Sequence, residues 1–125
     1  MMDVTLSIDE LSKVAHALSD PLRVRILDLV ARGRTAIDAP SPVSCCPDAV
    51  CVCEIQEALD LAQSKVSYHL RELREAGLVH EQRIGKWNFY ALNAPALKAF
   101  LEALEQRYLA PGENTKWNGE KGERA

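Results

Sequence analysis

Apolar residues recur at helical spacing in several stretches of this chain, and one long irregular segment interrupts them. Leu11, Val14, Ala15 and Leu18 follow Ser7-Ile8-Asp9-Glu10. In that tetrapeptide the serine hydroxyl and the glutamate carboxylate can satisfy each other's helix-end donors, so a first helix starts there. Asp20-Pro21 stops it and opens a second, with aspartate as cap and proline at the first helical position. Leu22, Ile26, Leu29 and Val30 form the second helix's inward stripe, and Gly33 is its stop. Periodicity is lost over residues 34–50, where Pro40, Pro42 and Pro47 with Ser41 and Ser44 oppose a regular helix. This segment reads as an inserted loop. A short helix is expected over residues 50–59 with Ile55, Ala58 and Leu59 inward, then a tight turn at Asp60-Leu61-Ala62. The next helix, with Val66, Leu70 and Leu73 inward, runs to about Ala76 and stops at Gly77. Two strands are expected between Leu78 and Leu92, around Ile84-Gly85-Lys86. Asn93-Ala94-Pro95 opens a last helix bearing Leu97, Phe100, Leu101, Leu104 and Tyr108. Residues 1–110 thus form one domain, and 111–125, rich in Gly, Glu and Lys, read as a disordered tail.

The fold class is mostly α with a small β-hairpin (α+β). Helix, tight turn, helix and hairpin, in that order, make a winged helix-turn-helix. The second helix of such a unit enters the major groove, where hydroxyl, amide and guanidinium groups reach base edges and phosphates. Its outward stripe here is Ser64, Ser67, Arg71 and Arg74, with no carboxylate. A merely solvated face of an ordinary helical pair would mix in acids. Gln63, Lys65 and Tyr68 on the same helix are further candidates for DNA contact, and His69 is either structural or DNA-contacting. Arg83 and Lys86 at the hairpin tip suit the phosphate backbone or the adjacent minor groove.

Charge sharpens this picture. The formal net charge is −3, unusual for a DNA-binding chain, but its distribution matters more. Residues 1–62 hold five Lys/Arg against ten Asp/Glu, whereas residues 63–92 hold five against three. The basic excess falls on the segment assigned to DNA. At 47% hydrophobic residues the chain is globular. No apolar run approaches the roughly 20 residues needed to cross a bilayer, and the first ten residues carry no basic-then-apolar leader pattern. A cytoplasmic protein without membrane association is expected.

Four cysteines, Cys45, Cys46, Cys51 and Cys53, lie within nine residues. A disulfide framework would spread its cysteines to close long loops. A cluster like this points to soft-ion binding or redox chemistry. His16, His69 and His80 are scattered, which argues against a Cys2His2 finger, and the spacing does not match two Cys-x2-Cys knuckles. Placed on one ideal helix at about 100° per residue, Cys51 and Cys53 point to nearly opposite sides. Gripping one ion would then require the helix start to unwind, and the helix dipole there would favour thiolates. Pairings such as Ser67 or Cys53 with His69 lack an orienting acid or an oxyanion hole, so no enzyme is expected.

Several separated motifs carry a family resemblance. These are the segment from Ala17 to Leu27, the box Val50-Cys51-Val52-Cys53-Glu54-Ile55, the segment from Gln63 to Leu73, and Ala76-Gly77-Leu78-Val79. Together they resemble the ArsR/SmtB family of metal-responsive repressors. The resemblance implies a homodimer joined through the first and last helices, bound to operator DNA and released by an inducer. In arsenite-sensing members the box is similar to Cys-x-Cys-x-x-Cys, and here its third position is Gln56. As(III) or Sb(III), which prefer three thiolates, would then draw the third from Cys45 or Cys46. The Cys46-Pro47 junction restricts the local backbone and favours Cys46. All four thiolates would instead suit Cd(II), Pb(II) or Zn(II), and disulfide formation would make a redox sensor. The family's second sensing site, on the last helix, uses Asp and His ligands. The present helix has no His, so that site is expected to be absent. Ala62 departs from the serine common before the reading helix.

Overall fold

The computed structural model describes residues 6–33 and 50–109. The inserted loop with Cys45 and Cys46, and the tail from 111 onward, lie outside these residues. The elements in order are α1 (Ile8–Ala17), α2 (Pro21–Arg32), β1 (Val50–Cys51), α3 (Val52–Leu59), α4 (Gln63–Glu75), β2 (Val79–Ile84), β3 (Trp87–Leu92) and α5 (Ala94–Tyr108).

Local signals set most of these boundaries. The Ser7 hydroxyl accepts the Glu10 amide at 3.1 Å, and the Glu10 carboxylate accepts the Ser7 amide at 2.8 Å. Asp20 caps α2 by accepting from the Leu22 and Arg23 amides. Burial alone would raise the Asp20 carboxyl, but those two amides outweigh it and hold the group below the usual range. Ala62 caps α4 without a side-chain hydrogen bond. Gly77, at φ 82°, ends the α4 turn in a conformation that disfavours a side chain. Gly85, at φ 61°, begins the two-residue wing turn that joins Ile84 to its partner Trp87.

The start of α3 departs from the sequence expectation. Residues 50 and 51 are not the start of a helix. They form β1, antiparallel to β3, with Val50 opposite Tyr90 and Cys51 opposite Phe89. The wing is therefore a three-stranded sheet in the order β1-β3-β2. The open edge of β3 supplies backbone partners, and β-branched Val50 fits them. Ala58, expected inward, is exposed on α3. The core joins α2, α3, α4 and the sheet through Ile26, Val30, Ile55, Val66, Leu70 and Val50, all essentially buried.

A buried polar cluster locks the reading helix to this core. Arg23 and His69 are 4% and 5% exposed. The Arg23 guanidinium donates from Nε to His69 Nδ1 at 3.3 Å, and from Nη1 to the carbonyls of His16 and Ala17 at the end of α1, also at 3.3 Å. His69 therefore faces inward, off the outward stripe of α4, and takes the structural one of the two roles the sequence left open for it. It must be neutral at Nδ1 to accept this bond. Burial, followed by the Arg23 and Lys65 charges, lowers its pKa against an opposing pull from Asp20. A histidine lowered on folding binds its proton more readily unfolded. Its contribution is thus complete above the unfolded value near 6.5 and lost as pH falls from there through the folded value. We expect the urea midpoint to drop between pH 7.5 and pH 5.5, and His69→Gln to reduce that drop.

Only Ala103 is buried on α5, whereas Leu101 and Tyr108 are 58% and 62% exposed. Ile8 on α1, a helix that α5 touches, is 68% exposed. No described helix is long and apolar enough to cross a membrane.

Candidate functional site

The thiol pair sits where β1 becomes α3. Cys51 is the residue before the first helical turn, in extended conformation (φ −81°, ψ 149°), and is 2% exposed beside Phe89. Cys53 is the second residue of α3 and is exposed. Because only Cys53 is helical, the opposite-sides geometry expected from the sequence does not apply. The two sulfurs converge to 2.9 Å without any unwinding, and both thiols are free. The Glu54 carboxylate accepts the Cys51 amide at 2.8 Å and fixes the turn between them. The expected thiolate bias at the helix start is also not seen at Cys53. Burial, then the hydrogen bond with Cys51, pushes its thiol up to about 11.

Both cysteines open onto a cleft of about 450 Å³. One wall is α3, with Gln56, the position where the arsenite-sensing box would carry its third cysteine. A second is the outward face of α4, with Gln63, Ser67, Arg71 and Arg74. The third is the wing, from its tip at Lys86 along β3 through Trp87, Asn88 and Tyr90. Thiol pair and reading face therefore share one space. Trp87 and Asn88 were missed in the sequence. Asn88 and Tyr90 alternate with Phe89 along β3, so the strand period already put those two on one face.

A clamp ties α4 to the wing. The Arg74 guanidinium donates to Glu81 on β2, and the other oxygen of Glu81 accepts the Tyr90 hydroxyl of β3 at 3.0 Å. Burial and then this hydrogen bond push the Tyr90 phenol up to about 12. Along α4, Gln63, Ser64, Lys65, Ser67, Tyr68 and Arg71 are exposed, as are Arg83 and Lys86 on the wing. Tyr68 lies 5.9 Å from the guanidinium groups of both Arg23 and Arg71, and Lys86 lies 5.3 Å over the Trp87 ring.

Residues 49–81 match the model of the bacterial regulatory proteins of the arsR family. That span covers the thiol pair, α3, α4 and the start of the wing. The chain is 33% identical over 105 residues to an arsenic resistance transcriptional regulator of Pseudomonas putida, covering 78% of this chain and 70% of that one. It is 34% identical over 86 residues to an arsenical resistance operon repressor of Bacillus subtilis, covering 68% of each. The chain belongs to the ArsR family. It is a transcriptional repressor of that family, with the winged helix-turn-helix fold. The fold is shared with a homodimeric winged helix-turn-helix DNA-binding domain from Mycobacterium bovis, at TM-score 0.58 and 22% identity, covering 87% of this chain and 94% of that one. Within the ArsR framework, the inserted segment bearing Cys45 and Cys46 lies directly before the matched span.

Proposed function

We propose that this protein is a homodimeric, cytoplasmic repressor that leaves its operator when trivalent arsenic or antimony binds Cys51 and Cys53. The observation that carries this reading is the convergence of two free sulfurs to 2.9 Å in the cleft that also holds the α4 outward face. The donor set fits the ion. Thiolates are soft ligands suited to such species. Two sulfurs at about 2.3 Å from a tetrahedral zinc stand about 3.8 Å apart, and the narrower angle at a three-coordinate pyramidal ion brings them closer still, so the pair needs to open by less than about 1 Å. Cys45 or Cys46, with Cys46 first, is the protein's own source of a third sulfur. Cd(II), Pb(II) or Zn(II) on all four cysteines, or a disulfide, are the rival inducers.

The position of Cys51 suggests how binding is felt. Its backbone pairs with β3, the central strand of the wing. A pull on the Cys51 backbone would thus be passed to the wing and, through Tyr90, Glu81 and Arg74, to the end of α4. The ligand shifts DNA affinity only by its preference for one arrangement over the other.

On DNA, Gln63, Ser64, Lys65, Ser67, Tyr68 and Arg71 supply the groove contacts, and Arg83 and Lys86 the phosphate contacts. Removing one phosphate contact lowers the slope of log affinity against log salt by about one. Lys86→Ala should therefore weaken binding equally across sequences and reduce that slope. An unchanged slope in a salt titration would take the wing off the DNA.

A further inference from the structure

We infer that the cleft beside Cys51 and Cys53 admits a small carboxylate-bearing thiol, peptide-like in class, as an external third ligand to the bound metalloid in place of Cys45 or Cys46. This rests on the proposed role of Cys51 and Cys53. Trivalent arsenic takes three thiolates, and among the described residues the pair has no third sulfur beside it. Gln56 lines the cleft where the motif would put one. The space of about 450 Å³ falls in the range of small-molecule sites, far more than a lone ion fills. Its charge is selective. Of the three cations on its walls, Arg74 is committed to Glu81, while Arg71 and Lys86 flank the opening from α4 and the wing. Asn88, on the same wall, carries a buried Oδ1 acceptor without a hydrogen-bond partner among the described residues. A ligand offering carboxylates to Arg71 and Lys86 and an amide N–H to Asn88 matches this lining. Trp87 gives its carbon chain an apolar wall.

The chemistry is ligand exchange without redox. Arsenous acid, As(OH)3, condenses with the two protein thiols and one external thiol. Three As–S bonds replace three As–O bonds, and three waters leave carrying the three thiol protons. The bound thiol then occupies the space against Gln63, Ser67 and Arg71 that operator DNA also requires.

The test uses the full-length Cys45→Ser/Cys46→Ser variant without DNA, so that no loop sulfur competes. Arsenite is added in phosphine-reduced buffer alone, then with glutathione, 2-mercaptoethanol or cysteamine. Native mass spectrometry reads the adduct, and titration reads its affinity. The expected result is a protein–arsenic–glutathione adduct, with arsenite bound about tenfold more tightly than with neutral 2-mercaptoethanol and more weakly still with cationic cysteamine. Arg71→Gln/Lys86→Gln should erase this order while arsenite remains bound; both side chains are exposed, and Lys86→Gln alone should reduce it. Arsenite binding with no preference among the thiols overturns the inference. So does binding by the parent protein that the double-serine variant cannot recover with glutathione. If the parent protein itself fails to bind arsenite under every condition, the reading of Cys51 and Cys53 falls as well.

Discussion

Cys51→Ser and Cys53→Ser should each leave operator affinity within about threefold of the parent and raise the arsenite needed for release by about 100-fold or more. The selectivity of the effect follows from where the two side chains sit. Cys53 is exposed, so losing its sulfur costs the fold little. Cys51 is buried, but it precedes the first turn of α3 in extended conformation, a position where serine is among the preferred residues. Neither side chain belongs to the outward stripe of α4. A hydroxyl is a poor substitute for a thiolate toward a soft ion, and each factor of ten in release corresponds to about 1.4 kcal/mol. Electrophoretic mobility shifts with and without arsenite measure both quantities. Loss of DNA binding by Cys53→Ser would mean that the thiol supports the reading unit itself. Unchanged release would remove the pair from the switch.

Leu101→Glu should convert the protein to a monomer at micromolar concentration and weaken operator binding by about 100-fold. Leu101 is 58% exposed on α5, along with Tyr108, and exposed Ile8 lies on neighbouring α1. A two-fold interface uses the same patch on both subunits, so one substitution places two carboxylates in it. Tethering two half-site readers together raises affinity by 10² to 10⁴ without new contacts, and a monomer forfeits that gain. Because Leu101 contributes little to the protomer's core, circular dichroism should be unchanged. Sedimentation that still finds a dimer would move the interface off α5.

Much of this architecture was legible because its signals are local. The Ser7–Glu10 box, the Asp20-Pro21 junction, Gly77 and Gly85 each act within one turn of chain, and each behaves as its sequence predicts. What escaped depends on distant partners. Two residues are too few to display a strand period, so β1 exists only because β3 offers an edge. The thiol geometry followed from that miss: with Cys51 assigned to the helix, its sulfur was aimed away from Cys53. His69 is a different case. Its spacing from Val66 and Leu73 puts it on the inward stripe, but spacing alone left a structural and a DNA-contacting role both open. The partner that makes burial tolerable, Arg23, comes from another helix and reads as a surface residue on its own.

The most direct test of the account is a release titration of the protein bound to a duplex selected from a random library in metal-free, reducing buffer. Fluorescence anisotropy would follow the complex as As(III), Sb(III), Cd(II), Zn(II), Pb(II) or peroxide is added. The account predicts release by As(III) and Sb(III) at concentrations where Cd(II), Zn(II), Pb(II) and peroxide leave the complex intact. Release by a divalent ion with no response to As(III), or by peroxide alone with reversal by reductant, would contradict it.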